Sequence, residues 1–315
     1  LIQAFDDELD KMDPAHRRDA FCGKFSIMDV FYQMRLPFTT FKPHTLNPST
    51  ALFKDHLRKF ASICRIVKGM RNFNIGAFGA RTTAFKTVRF DEIALQKYGI
   101  NTETIDLADV FLRIENLKDH DRINEKIKYY KTLSDFSEVP DNKADAIAKL
   151  GLVIDEIISE KRLSAVAIRC WDEFQRKLGI SPCIILSELN GRGIAASCEM
   201  DVCNAIAMRV LMLASENPAC VLDWNNNYGS EENKCIVFHC GSASNALLEG
   251  GAKVVGHKIL EKTLGKENCI GVNAGKLGIY PFTYSSLKTD DGKISLYTGE
   301  GEFTSDQVSD KFFGT

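Results

Sequence analysis

The stretch "FNIGAFGARTTAFKTVRFDEIALQKYGINTETIDLADV", residues 73–110, sets the fold class. It opens on a short apolar run, Phe73 to Phe78, stopped by Gly79. An apolar run of that length, closed by a turn residue, reads as a buried strand. Residues 83–99 then read as a helix with Gly99 as its C-cap, because glycine takes the left-handed conformation a helix end requires. Residues 102–110, "TETIDLADV", read as the next strand. Strand, helix, strand is the repeating unit of an open, mostly parallel α/β sheet.

The alternation continues downstream. Residues 122–135 and 142–161 read as helices, "SAVAIRC" (164–170) as a strand, and "WDEFQRKLG" (171–179) as a helix closed by Gly179. "CIILSEL" (183–189) reads as a strand and residues 199–215 as a helix. After Pro218 the texture changes. "ACVLDW" (219–224) and "NKCIVFHCG" (233–241) read as strands, and residues 281–303 as a hairpin turning at Asp291-Gly292. Upstream, "RLPFTTFKPHTLNPST" (35–50) holds three prolines and reads as a loop. Leu52, Leu57, Phe60, Ile63 and Ile66 then fall at helical spacing. The expected organisation is a linker-like part over 1–70, an α/β domain over 71–218 and a β-rich part over 219–315.

Composition narrows the function classes. A chain of 315 residues predicts about two domains. Its 44% hydrophobic and 26% charged content is that of a globular protein. A net charge of −2 gives no electrostatic reason to expect nucleic acid or an anionic membrane as partner. No apolar run reaches the roughly 18 residues of a membrane span, and the first residues lack the basic and apolar regions of a signal peptide. The ten cysteines form no C-x-x-C pair, and Cys183 and Cys235 sit in apolar runs. They read as reduced core thiols rather than a zinc site, which fits a cytoplasmic location. The chain starts at Leu1 rather than Met and stops in "KFFGT", which reads as a piece of a longer protein.

Three polar residues stand out beside apolar runs. Glu199 falls where the 199–215 helix is expected to start, and an acid there is favoured by the helix dipole whatever its function. Asp223 follows "CVL" and precedes an Asn run, so it reads either as a turn residue or as a group at a strand end, where ligands bind in α/β folds. His239, in "CIVFHC", is either a satisfied core histidine or a metal ligand. Taken singly, each is explained by structure. Together they form an oxygen and nitrogen donor set suited to Mn²⁺ or Mg²⁺. A fourth candidate is Arg81, in the "GAFGAR" turn. That turn has only part of a phosphate-binding fingerprint, and Arg81 can reach a ligand or cap a neighbour.

Four segments, residues 75–110, "IRCWDEFQRKLGISPC" (168–183), "ASCEMDVCNAIAM" (196–208) and "VLDWNNNYGSEENKCIVFHCG" (221–241), resemble the L-fucose isomerase and L-arabinose isomerase superfamily, most of all its fucose-isomerase-like members. The "TGEGEF" hairpin fits the C-terminal domain of that group, and residues 1–70 look like the tail of its first domain. The resemblance implies a metal-dependent enzyme, usually with Mn²⁺, that interconverts an aldose and a ketose through an enediolate and works as a homo-oligomer, a trimer or hexamer. It implies that Glu199 and Asp223 are metal ligands and the acid/base pair, with the order of their roles open. His239 is a less secure third ligand, and Trp224, Asn225 and Asn226 are sugar-contact candidates. A further family histidine near the C-terminus has no counterpart in these residues, so this chain is expected to be inactive or a weak metal binder by itself. Two alternatives stand beside this one: a sugar-binding relative without turnover, and a nucleotide-binding oxidoreductase built on the "GAFGAR" turn.

Overall fold

The computed structural model describes residues 1–5, 9, 12–309 and 312–315. Two compact units emerge, Leu1–Gly69 and Met70–Thr315. In the first, α1 (Ala20–Gln33) and α2 (Ala51–Gly69) are the helices, the second as its apolar spacing predicts. Lys24 of α1 is buried, and its ammonium donates to Gln3 Oε1 (3.1 Å) and to the His44 carbonyl (3.0 Å).

The second unit is built on β1 (Phe73–Phe78), α3 (Glu92–Gln96), β2 (Ile100–Ile105), α4 (Leu107–Asn116), α5 (His120–Leu133), α6 (Asp141–Lys161), β3 (Ala165–Ile168), α7 (Glu173–Leu178), α8 (Cys183–Gly191), β4 (Ala195–Ser197) and α9 (Val202–Ser215). The four strands form one parallel sheet in the order β2-β1-β3-β4. The chain leaves β1 toward β2 on one side, while β3 and β4 lie on the other. The strand order therefore switches direction between β1 and β3, and the crevice beyond the C-terminal ends of those strands is where such sheets place ligands. Both faces are covered. Phe78, Val166 and Ile168 pack with α4, α6 and α8, while Ile75, Ala165 and Ala167 pack with α9.

The remainder is antiparallel: β5 (Asp223–Tyr228) with β6 (Glu231–Phe238), β7 (Leu248–Gly256) with β8 (Ile270–Leu277), and β9 (Pro281–Asp290) with β10 (Lys293–Glu302). A seven-residue helix, α10 (Lys258–Leu264), lies between β7 and β8. The expected hairpin turns where predicted, with Asp291 and Gly292 at φ 48° and 69°, the pair of positive values a two-residue turn needs. Leu287 of β9 joins the α9 core, and Ser286 Oγ donates to Asn204 Oδ1 at 2.9 Å. A parallel α/β sheet followed by antiparallel hairpins is the expected fold class. Among the described residues, no helix is long and apolar enough to cross a membrane.

Several local expectations fail, each for a physical reason. Residues 83–99 are not one helix. Lys86–Val88 form a single 3-10 turn, and α3 starts late because the Asp91 carboxylate caps it, accepting from the Ala94 N–H at 3.0 Å. Residues 106–110 leave the strand because Asp106 caps α4, accepting from the Ala108 N–H at 2.9 Å. Residues 183–189 are helical. Every residue from Cys183 to Asn190 is buried, so α8 is surrounded and shows no polar face to reveal its period. "DWNNNY" is strand rather than turn, held by its ladder to β6 despite its asparagines, and Asp223 begins that strand instead of ending one. Cys235 is exposed, not a core thiol.

Candidate functional site

Glu199 lies on the loop between β4 and α9, not in the first turn of the helix. Asp201 takes the helix-start role. Its carboxylate accepts from the Asn204 N–H at 3.0 Å and from Asn204 Nδ2 at 2.7 Å. Glu199 and Met200 both have φ of 61°. Two successive non-glycine residues in the left-handed region cost roughly 1–3 kcal/mol each. The loop holds because it is tied at every step: Met200 N–H to the Ile168 carbonyl (3.1 Å), Asp201 N–H to the Cys198 carbonyl (3.0 Å), and Ser197 Oγ to the Asp201 carbonyl (2.7 Å). The result places a glutamate at the C-terminal edge of the parallel sheet. Burial, reinforced by the negative charges of Asp223 and Asp201, holds its carboxyl up at about 7. Burial raises the Asp201 carboxyl as well, against the hydrogen bonds from Asn204.

The β5-β6 ladder sets Asp223 opposite Phe238, one residue before His239. Asp223 is exposed at its strand start, and its charge reaches Glu199, Asp201 and His239. His239 is 3% exposed. Its Nδ1 accepts the Cys240 N–H at 2.9 Å, which puts the ring proton on Nε2. Burial lowers its pKa, with Asp223 opposing. A neutral imidazole held in this way offers a donor at Nε2, whereas a metal needs a lone pair there. The ring is thus buried, with Nδ1 paired to the neighbouring backbone. Among the described residues, no three His, Cys, Asp or Glu side chains are gathered so that they could hold an ion.

The segment after His239 is locked in place. Asn190 of α8 donates to the Ser242 carbonyl (2.9 Å) and the Ala196 carbonyl (3.0 Å) and accepts the Ala196 N–H (2.8 Å), so one side chain joins this strap to β4. Asn273 of β8 takes Ser134 Oγ (2.7 Å) and donates to Ser187 Oγ (3.0 Å) and Asn245 Oδ1 (2.6 Å). Gly241, at φ 120°, is required. A Cβ there would meet the Asn273 backbone at 2.7 and 2.8 Å. Ser242 is fully buried and its Oγ has no partner. Sequence reading passed over Ser242, since a serine in a loop carries no signal until its burial is known.

The remaining candidates lie elsewhere. Trp224, Asn225 and Asn226 line a shallow surface depression of about 280 Å³ with Asn227 and Cys235, which does not include Glu199, Asp223 or His239. Trp224 is 56% exposed and meets Tyr284 edge-on at 5.3 Å. Arg81 follows β1 at the sheet edge, and its guanidinium donates to the Thr82 (3.0 Å) and Thr83 (2.8 Å) carbonyls. No α-helix begins at the Gly79 turn, so no helix N-terminus is presented there to a phosphate, which removes the physical basis of the nucleotide-binding alternative.

Comparison with known proteins places these features. Residues 1–71 match the family model "Fucose/sulfoquinovose isomerase, N-terminal domain". The chain is 27% identical over 273 residues to a sulfoquinovose isomerase of Alkalicoccus urumqiensis, covering 85% of this chain and 59% of that protein. It is 24% identical over 240 residues to a sulfoquinovose isomerase of Priestia aryabhattai, covering 76% of this chain and 54% of that protein. The chain therefore spans little more than half the length of these relatives.

Proposed function

Taking the chain as a fucose-isomerase-like protein, as both the motifs and these relatives indicate, we propose that it forms the catalytic part of a metal-dependent aldose–ketose isomerase. One observation carries the reading. Glu199 is half-buried with its carboxyl held up at about 7, and the charges acting on it, those of Asp223 and Asp201, are negative. Neighbouring carboxylates that repel one another are stabilised by a shared proton or by a cation. Two carboxylate oxygens suit a hard divalent ion such as Mn²⁺, so the donor chemistry fits, with Glu199 and Asp223 as the residues that would hold it. When bound, such an ion polarises a carbonyl as a Lewis acid.

The chain's own residues do the rest. The sugar substrate, of the aldose class that includes L-fucose, L-arabinose and the sulfoquinovose named for the relatives, must lose a proton from C2 and gain one at C1. Glu199 and Asp223 are the pair that would take the C2 proton and return it to C1 through an enediolate, with the O2 hydroxyl proton passing to O1. Strain in the Glu199 loop fixes the carboxyl in place before substrate arrives. The buried Asn190 and Asn273 networks hold the strap after His239 against α8 and β8.

The test is turnover of L-fucose, L-arabinose and sulfoquinovose after chelator dialysis, with and without added Mn²⁺, in this chain and in a longer chain matching the relatives' full length. Glu199→Gln and Asp223→Asn should each lower Mn²⁺-dependent turnover by about 10²-fold or more. Turnover that survives both substitutions would sink the reading.

A further inference from the structure

His257 is the N-cap residue of α10. Its N–H donates to the Cys269 carbonyl and its carbonyl accepts the Leu260 N–H, both at 2.9 Å. The backbone is thus fully engaged. The side chain is the opposite: it is 2% exposed, and neither Nδ1 nor Nε2 has a hydrogen-bond partner. Burying an imidazole with both nitrogens unpartnered is unfavourable, and such a group calls for an explanation in a ligand or bound water.

The surroundings say which kind of ligand. Trp171 stands edge-on to the ring at 5.8 Å and Phe313 lies tilted at 5.3 Å. Trp171 follows β3 at the switch point of the sheet, next to Cys170. Cys170 shares a core with Cys198, the residue before Glu199. His257 is also close enough to His239 for their charges to interact. The aromatic box therefore lies beside the sheet edge that carries Glu199. Burial draws the His257 pKa down to about 4 against the pull of its own backbone, with His239 adding a smaller push in the same direction as burial, so the ring is neutral at physiological pH. A neutral imidazole presents one N–H donor and one lone pair. A sugar hydroxyl is the complementary group, donor and acceptor together, and aromatic rings suit the C–H face of a sugar.

We propose that His257 is a substrate-binding residue: one ring nitrogen donates to, and the other accepts from, hydroxyls of the bound sugar, with Trp171 and Phe313 as the walls. The proposal rests on the isomerase reading above. Phe313 belongs to a segment joined to the end of β6 by paired hydrogen bonds, His239 N–H to the Thr315 carbonyl (2.9 Å) and Thr315 N–H to the His239 carbonyl (2.8 Å).

The experiment uses the ¹⁵N-histidine-labelled chain, with the ring-nitrogen resonances of His257 assigned by their loss in His257→Phe. The probes are L-fucose, L-arabinose, sulfoquinovose and the sugar alcohols made by reducing them, which cannot be isomerised. Both His257 ring nitrogens should shift as an alcohol saturates the chain. His257→Phe should weaken that binding by about tenfold or more, while His257→Gln, which keeps a donor and an acceptor, should recover most of it and Mn²⁺ affinity should stay unchanged. Should His257→Phe not fold, the wild-type shifts and His257→Gln decide. Saturable alcohol binding that leaves the His257 resonances unmoved overturns the proposal and leaves the isomerase reading standing. Alcohol binding that shifts His257 in a protein that turns over no aldose upholds the proposed contact and overturns the isomerase reading. No binding of any probe overturns both.

Discussion

Gly241→Ala tests how the strap after His239 is built. Gly241 has φ 120°, and an added Cβ would lie 2.7 Å from the Asn273 carbonyl oxygen and 2.8 Å from its nitrogen. Neither is the end of a flexible side chain. The conformation alone costs an alanine roughly 1–3 kcal/mol. Displacing the β8 backbone adds roughly 1–3 kcal/mol, as overpacking elsewhere does. The total is about 4 kcal/mol, a fall of roughly 8–16 °C in the melting temperature of a unit this size. Gly193→Ala is the control. It has φ 80° but nothing within 4 Å of the new Cβ, so it should cost only the left-handed penalty of about 1–2 kcal/mol. Urea unfolding of the three proteins, with equal slopes, gives the two differences. If Gly241→Ala costs no more than Gly193→Ala, the close approach of the strap to β8 is wrong, and with it the account of how His239 to Ser242 are held.

Two further outcomes follow from the site. Asp201→Ala removes the side-chain cap of α9 while keeping the backbone bonds of the Glu199 loop, so it should cost about 1–2 kcal/mol in urea unfolding. The pH dependence of stability should carry the signature of His257. Its folded pKa is about 4 against 6.5 for the free group. The unfolded chain therefore binds a proton in that window that the folded chain refuses, and stability falls as pH drops from 6.5 toward 4. The full contribution is about 3 kcal/mol. The stability of wild type relative to His257→Phe should fall by that order between pH 7 and pH 4, and a difference independent of pH would refute the burial of a neutral ring.

Much of the fold is legible in the sequence because the signals are local. β1 ends at a glycine, and Gly179 closes α7 in the left-handed conformation expected of it. Asp291-Gly292 supplies the turn of the β9-β10 hairpin, and α6 declares itself by length and spacing. The losses share another cause. α8 is buried on every side, so nothing in "CIILSEL" distinguishes it from a buried strand. β5 is written in residues with poor strand propensity and exists through its pairing with β6. Asp91 and Asp106 read as ordinary acids until each is seen to start a helix.

The site divides in the same way. By itself the sequence determined which residue types were available: Glu199 and Asp223 in motifs resembling those of sugar isomerases, and a histidine in an apolar run. It could not determine their surroundings. The left-handed turn that lifts Glu199 out of α9 depends on tertiary hydrogen bonds to Ile168 and within the loop. The Cys240 N–H that fixes the His239 tautomer, and the empty nitrogens of His257 between Trp171 and Phe313, are set by segments far apart in the chain. Propensity and spacing are properties of neighbours along the chain. Burial, charge repulsion and unpaired polar atoms are properties of neighbours in space, and only the folded protein brings those together.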